Sequence, residues 1–580
     1  MGKTGLLLFL LLLLYPFLEL QDVFLQGITV EGICFVVLAI LPIVVLLSRS
    51  FVWRINGLDI FFFLFGVWYC IRMIMESAFL DEWWLISMGT GGLLYFCARN
   101  VMTERHLFSF LILGGFVQVF WFILQVYQIL PSKHYLFLGT GSFFNPALLG
   151  CFWAFSLLVS LWQGLNDRRK KWRIVYMGAS FVFFVCLFII DSRASWVACC
   201  IGMGWCLWWK WRGTSFACSL RALFRTKMFV GIAVIIVLLV GIGWGLYALR
   251  PDSVQGRFLI WRVIGHCFME SPWLGQGSLA AAYMPAQADW FREFDGMEER
   301  LLAGENVYAF NEFLHVAFEA GIFGLFLFIM LLLVALLYAW RGNKDIVCCG
   351  GLLLAVMSFG FFSYPFSSSF LVKIVVCIFA LIARSSGDVF SWTNGWVKAS
   401  RWFVVILLML SMSIVIAEYR TAHRADKLLV EMNQHALQED DLKCSDAYLL
   451  GNPDFVLCYG KFLYRKGLYR QALPVLEQGF QLRPTSALTC DLGYCYQVEK
   501  RYAEAEQAYC EAAFMTPAYI LPHYRLFCLY QEMGKMELAK AKAQYMLDMP
   551  VKIVNSSVLR YRHQARIFLR EKEEVEYKIE

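Results

Sequence analysis

The sequence predicts an all-α fold, a polytopic membrane bundle of about 12–13 transmembrane helices followed by an α-solenoid of helical hairpins. Three observations carry this: an apolar composition, a rhythm of basic loops, and a repeat near the carboxyl end. The 580 residues are 60% hydrophobic and only 16% charged, a balance that excludes a water-soluble chain of ordinary type. Crossing about 30 Å of hydrocarbon takes roughly 20 helical residues. Runs of that kind are readable near 4–20, 29–48, 57–78, 83–98, 107–130, 144–164, 174–190, 195–210, 228–248, 311–339, 346–363, 368–383 and 400–418. The first run follows Lys3 like a signal peptide, but Glu19-Leu20-Gln21-Asp22 offers no small-residue cleavage site, so it reads as an uncleaved helix.

Basic residues follow the even-numbered spans. Arg49 and Arg54, Arg99 and Arg105, the cluster Arg168 to Lys171 with Arg173, the group from Lys210 to Lys227, Arg341 and Lys344, and Arg384, Lys398 and Arg401 all obey that rhythm. The positive-inside rule makes these loops cytoplasmic. The amino terminus is then inside and the carboxyl-terminal segment outside. The net charge of +7 reflects this orientation and is no argument for nucleic acid.

Composition changes after Glu418, which divides the chain into a membrane domain, 1–418, and a helical repeat domain, 419–580. Pro484, Pro517 and Pro550 stand 33 residues apart, as do Tyr469 and Tyr502, with Met536 one residue off the step. Gly467 to Ala472, Lys500 to Ala505 and Gly534 to Ala539 each place a turn before an Ala-containing helix, and Leu492-Gly493 with Tyr496 resembles the first-helix signature of the tetratricopeptide repeat. Such solenoids bind peptides or proteins, so a protein partner on the repeats is expected. Thirteen of the 19 cysteines precede residue 419 and read as apolar packing residues. The other six (Cys444, Cys458, Cys490, Cys495, Cys510 and Cys528) lack zinc-like spacing, and an oxidised pair among them stays open.

The loop 249–310 is too charged to span and falls outside. Trp261, Ile264 and Phe268 share a helical stripe, which predicts a helix lying on the outer membrane surface. Charges near a bilayer need a reason. Arg72, Arg193, Arg257 and Lys373 all fall at the outer leaflet, where they suit a lipid-borne phosphate, Arg by its two-pronged donor fork. The competing reading is that each snorkels or pairs with a neighbour such as Asp191. Asn311, His315 and Glu319 recur every fourth residue and predict a polar helix face lining a wet cavity.

Several motifs, taken in chain order, resemble the O-antigen ligase family, which includes O-antigen polymerases and protein O-oligosaccharyltransferases. They are Gly141 to Pro146, Ser192-Arg193-Ala194, Gly256-Arg257 with Ile260-Trp261, Ser271 to Gly277, Asn311 to Leu314 with Glu319 and Gly321, and Ser363-Tyr364-Pro365. The resemblance implies a multi-pass enzyme of the bacterial inner membrane with its repeats in the periplasm. It implies transfer of a glycan from an undecaprenyl diphosphate carrier to an acceptor, with lipid A-core the first expectation and a growing glycan or protein Ser/Thr the alternatives. No cofactor or metal is implied. Arg193 and Arg257 take the diphosphate by resemblance, whereas Lys373 and Arg72 have only the charge argument. Many members carry His immediately before this Asn, and here Phe310 stands instead, so the general base does not carry over. His315, Glu312, Glu319 and Glu305 are the candidates near it. A transporter would place charges at the bilayer midplane, and a non-catalytic scaffold would be indifferent to losing Arg193 or Arg257.

Overall fold

The computed structural model describes residues 5, 8–10, 12–14, 34–43, 53–76, 82–132, 137–190, 192–212, 251–294, 296–387, 390–392, 402–416 and 453–579. The predicted spans at 4–20 and 29–48 fall only partly within them, while the span at 228–248, Asp191 and residues 419–452 lie outside.

The membrane domain is a bundle of α1 (Cys34–Ile43), α2 (Gly57–Glu76), α3 (Glu82–Val101), α4 (Glu104–Val126), α5 (Pro146–Asn166), α6 (Lys170–Ile189) and α7 (Arg193–Trp211). It continues with α11 (Glu312–Arg341), α12 (Lys344–Gly360), α13 (Ser369–Ser385) and α14 (Trp402–Ile416). Among the described residues five of these (α2, α4, α5, α6 and α11) are long and apolar enough to cross a membrane. The helices α3, α7, α12 and α13 belong to the same bundle, but three or four of their residues are small or polar where they pack tightly: Gly350 and Gly351 of α12 lie against Trp205 and Cys206 of α7. The central helix α5 is buried along nearly its whole length, because Trp153, Trp162, Phe152 and Phe155 face partners on every side.

The ends of the helices separate by charge. At one end the strand β1 (Trp53–Ile55) pairs antiparallel with β2 (Phe390–Trp392), a short ribbon that the all-α prediction omitted. Asn56 donates to Ala383 O, Arg384 to Met102 O, and Lys210 to Leu165 O, while Arg99 holds Asp59 through two hydrogen bonds of 2.7 Å. The basic loops therefore gather at this end. The opposite end carries Asn145, Arg193, Glu312, Ser363 and Ser369, which are the residues of the family-like motifs.

Between α7 and α11 lie α8 (Pro251–Phe268), α9 (Leu279–Glu293) and α10 (Met297–Leu302). The predicted stripe of α8 is corrected here. Its apolar face, Leu259, Ile260, Val263, Ile264 and Cys267, is buried against α9 and neighbouring protein rather than presented to lipid. Trp261 turns instead toward Ala309 O, 2.9 Å away.

The carboxyl-terminal segment forms α15 (Pro453–Arg465), α16 (Tyr469–Leu482), α17 (Ser486–Val498), α18 (Tyr502–Met515), α19 (Ile520–Glu532), α20 (Met536–Asp548) and α21 (Ser556–Ile579). The first six pair as three hairpins with one kind of turn. Gly467, Lys500 and Gly534 have positive φ of 78°, 62° and 71°. After each, an N–H reaches five residues back: Leu468 to Leu463 O, Arg501 to Tyr496 O, and Lys535 to Tyr530 O. This is the Schellman closure of a helix, which favours glycine at the left-handed residue. Described cysteines in both domains are free thiols.

The hairpins dock on the loop between α7 and α11. Gln287 of α9 donates to Met515 O at 2.5 Å, Arg292 pairs with Glu511 and lies 5.4 Å over Phe514, and Arg300 of α10 donates to Tyr545 Oη at 3.3 Å. His523 sits 4.7 Å from the Tyr545 ring, buried, with neither ring nitrogen hydrogen-bonded. Burial, Lys542 and Arg300 push its pKa down to about 3.

Two outcomes follow from these local arrangements. Lys500→Gly relieves a left-handed lysine and raises stability by about 0.5–1 kcal/mol, read as a higher unfolding midpoint of the repeat helices. The unfolded chain protonates His523 below about pH 6.5 while the folded chain does not, so its contribution is whole above that pH and declines as pH falls. Wild type loses about 2 kcal/mol more than His523→Phe between pH 7.5 and pH 5, measured by denaturant unfolding at the two pH values.

Candidate functional site

The site is built on a break in α11. Gly321 has φ 70° and ψ −176°, which interrupts the helix two residues past Glu319. A helix broken in this way leaves N–H and C=O groups without intrahelical partners. The loop Ser271 to Gly277 supplies them: Pro272 O accepts from Ile322 N at 2.9 Å, and Gln276 N donates to Phe318 O at 2.7 Å. The contact is backbone on backbone. A Cβ at Gly321 would lie 2.1 Å from Trp273 O, and one at Gly275, itself at φ 82°, would lie 2.6 Å from Gly321 N.

Helix α2 completes the joint. Trp68 donates to Ala320 O at 3.0 Å, Tyr69 to Glu319, and Arg72 to Gly275 O at 3.1 Å. Arg72, expected at a lipid phosphate, is 1% exposed and lies beside the loop it holds. Lys373, 4% exposed, donates to Ser369 Oγ at 2.5 Å on its own helix.

The predicted polar stripe is also revised. Asn311 precedes the helix in extended conformation, and its side-chain oxygen accepts from Phe313 N and Leu314 N at 3.0 and 3.1 Å as an N-cap. Glu319 is buried and accepts from Tyr69 and from Leu279 N at 3.0 Å, with His315 Nε2 3.1 Å away. Glu312 is buried and accepts from Phe366 N at 2.9 Å. The two carboxylates thus bind neighbouring chain rather than line a wet cavity, and His315 is the most accessible of the three. Glu305 lies apart, in a cavity of about 520 Å³ between the turn 303–305 and the repeat helices, lined also by Thr516, Tyr519, Lys552 and Tyr561.

Arg193 and Arg257 do come together. Arg193 begins α7 behind Ser192, whose hydroxyl meets Ser195 Oγ at 2.7 Å. Arg257 lies in α8, where burial and the positive charge of Arg193 depress its pKa. Two cations held close enough to oppose each other in a half-buried setting favour an anion between them. Phe310, at φ 52°, turns its ring under the Arg257 guanidinium, 5.5 Å from centroid to Cζ, and meets Tyr364 edge-on at 4.9 Å. A left-handed phenylalanine costs about 1–2 kcal/mol, so surrounding structure must hold it there.

Tyr364 is the hub of the adjoining residues. Asn145, N-cap of α5, donates to its hydroxyl at 2.7 Å. The loop that carries Asn145 is latched by amides of α4: Gln118 exchanges hydrogen bonds of 2.9 Å with Ser142, and Gln125 accepts from Thr140 N and Gly141 N. Sequence reasoning overlooked Gln118, Gln125, Tyr69 and Tyr308. Glutamines inside an apolar span were the one available signal for the latch. Among the described residues no group of three His, Cys, Asp or Glu could hold a metal ion.

A multi-pass helical membrane protein with two arginines near each other at the end opposite its basic loops is the class that this architecture defines. The model of the O-antigen ligase family matches residues 178–329, which include Arg193, Arg257, the 271–277 loop and the broken start of α11. Over that segment the chain is similar to the O-antigen ligase family, a family of membrane glycosyltransferases. Neither the curated proteins nor the solved structures compared with the chain gave a match.

Either Gly275→Ala or Gly321→Ala forces a Cβ into backbone at a left-handed position. Each is expected to destabilise the membrane domain by about 2–4 kcal/mol, seen as a lower thermal midpoint of the purified protein in detergent. Gly66→Ala, in open space on α2, serves as the neutral control.

Proposed function

We propose that the protein transfers a glycan from a polyprenyl diphosphate carrier to an acceptor hydroxyl at the membrane face that carries Arg193 and Arg257. The observation that carries this reading is that pair, half-buried and mutually repelling, inside the segment matched by the family. Departure of the diphosphate from the anomeric carbon leaves negative charge on its terminal oxygens. Preorganised guanidinium donors in a site of low dielectric stabilise that charge, and they gain strength as the C–O bond breaks.

The attacking hydroxyl must give up its proton as its oxygen bonds to the anomeric carbon. Phe310 cannot accept it. His315, with Glu319 3.1 Å from its Nε2, is the group we assign to that step. Undecaprenyl diphosphate as carrier and lipid A-core as acceptor are the substrates the sequence resemblance favours. A growing glycan or a protein Ser/Thr presents the same hydroxyl. On this reading the face bearing the site and the repeats is periplasmic, since the basic loops lie at the opposite end of the bundle. The hairpins from 453 onward are read as tetratricopeptide-like, on the strength of their period and their recurring turn.

Arg257→Ala and Arg193→Ala are each expected to lower transfer from the lipid-linked donor in membranes by about 10²–10³-fold, with Lys at either position recovering part of it. Transfer at the wild-type rate in Arg257→Ala would overturn the assignment. In the host, deletion that removes lipopolysaccharide ladders but spares glycoproteins points to lipid A-core or glycan as acceptor, and the reverse pattern points to protein.

A further inference from the structure

The rings beside Arg257 stack as Phe62 and Tyr95 do in the core, but at a half-open end of the bundle. In the bundle interior Phe110 meets Phe152 and Phe370 edge-on, and Phe143 meets Phe152 at 45°, all of them closed off from solvent. At the site, Tyr364 lies parallel to Tyr308, with centroids 4.5 Å apart and planes 5° apart, and to Phe144, at 6.3 Å and 16°. These three rings come from three separate loops. Phe144, on the loop latched by Gln118 and Gln125, is 37% exposed despite its size. Burial and Tyr308 push the Tyr364 phenol up to about 12, against Arg257, which keeps it neutral and able to donate a hydrogen bond.

We propose that Phe144, Tyr308 and Tyr364 form a stacking platform for the pyranose ring attached directly to the donor diphosphate. The inference rests on the diphosphate reading of Arg193 and Arg257 and adds to it the place of the first sugar. A pyranose presents a face of C–H bonds that is apolar and weakly positive, complementary to the negative face of an aromatic ring. One ring, Phe310, separates the Arg257 guanidinium from the stack. One oxygen separates the phosphate from the anomeric carbon. A diphosphate gripped by Arg257 therefore brings its first sugar toward this stack, whose exposed end at Phe144 accepts pyranoses of differing hydroxyl configuration. Asn145 acts as a positioning residue, holding the Tyr364 hydroxyl at 2.7 Å.

The test uses the full chain in nanodiscs and three probes: undecaprenyl diphosphate alone, and the same lipid bearing one N-acetylglucosamine or one galactose. Wild type is expected to bind at least one sugar-bearing lipid about fivefold to tenfold more tightly than the bare lipid. Phe144→Ala brings that ratio close to one and leaves affinity for the bare lipid unchanged, whereas Phe144→Tyr preserves the ratio. Tyr308→Ala reduces the ratio in the same way. A ratio of one in wild type for both sugars, or a ratio untouched by Phe144→Ala and Tyr308→Ala, overturns the platform alone. Failure of wild type to bind any of the three lipids overturns the diphosphate reading and the platform with it.

Discussion

The closure of the α11 break by the loop 271–277 is the constraint on which the rest of the site depends. A helix interrupted inside an apolar bundle exposes backbone groups that have no water to satisfy them, and each such group costs about 1–3 kcal/mol or more. Here the partners are backbone atoms of one particular loop, admitted because Gly275 and Gly321 carry no Cβ. That loop links α8, which bears Arg257, to α9, on which the hairpins dock. One backbone joint thus couples the membrane helices, the helix that bears Arg257 and the repeats.

The buried polar residues around the joint are explained by the same need. Arg72, Trp68, Tyr69 and Glu319 are an expensive set to place within the bundle, and each contacts the break or the loop filling it. Their charges looked like ligand-binding groups when read along the chain. In three dimensions their partners are carbonyls and amides of the protein itself. Arg257 differs in that it is half-buried and feels the positive charge of Arg193, which depresses its pKa.

Phe310 shows how a departure from the family pattern is accommodated. Its left-handed backbone places an apolar ring between a guanidinium and a tyrosine stack, where an imidazole would have brought a titratable group. The result is a region in which cationic and aromatic surfaces adjoin without a base between them. His315 lies beyond it on α11, oriented by a carboxylate that also anchors Leu279 N, so any proton chemistry there is tied to the integrity of the joint.

Much of the fold was legible along the chain because its causes are local. Apolar runs fall within a few residues of α2 to α7 and α11 to α14, since a helix crossing hydrocarbon must be apolar over a fixed length. The 33-residue step anticipated three turns that share one geometry, because a left-handed closure recurs wherever the same hairpin does. Motif order also identified the segment containing Arg193 and Arg257. What tertiary structure alone decided is which charges engage the chain's own backbone and which stand near another cation. Arg72 and Arg257 are indistinguishable by residue type and depth, and only the fold sets Gly275 O beside one and the charge of Arg193 near the other. The tyrosine stack was invisible for the same reason: Phe144, Tyr308 and Tyr364 are far apart in sequence and become one surface only when three loops converge at a single end of the bundle.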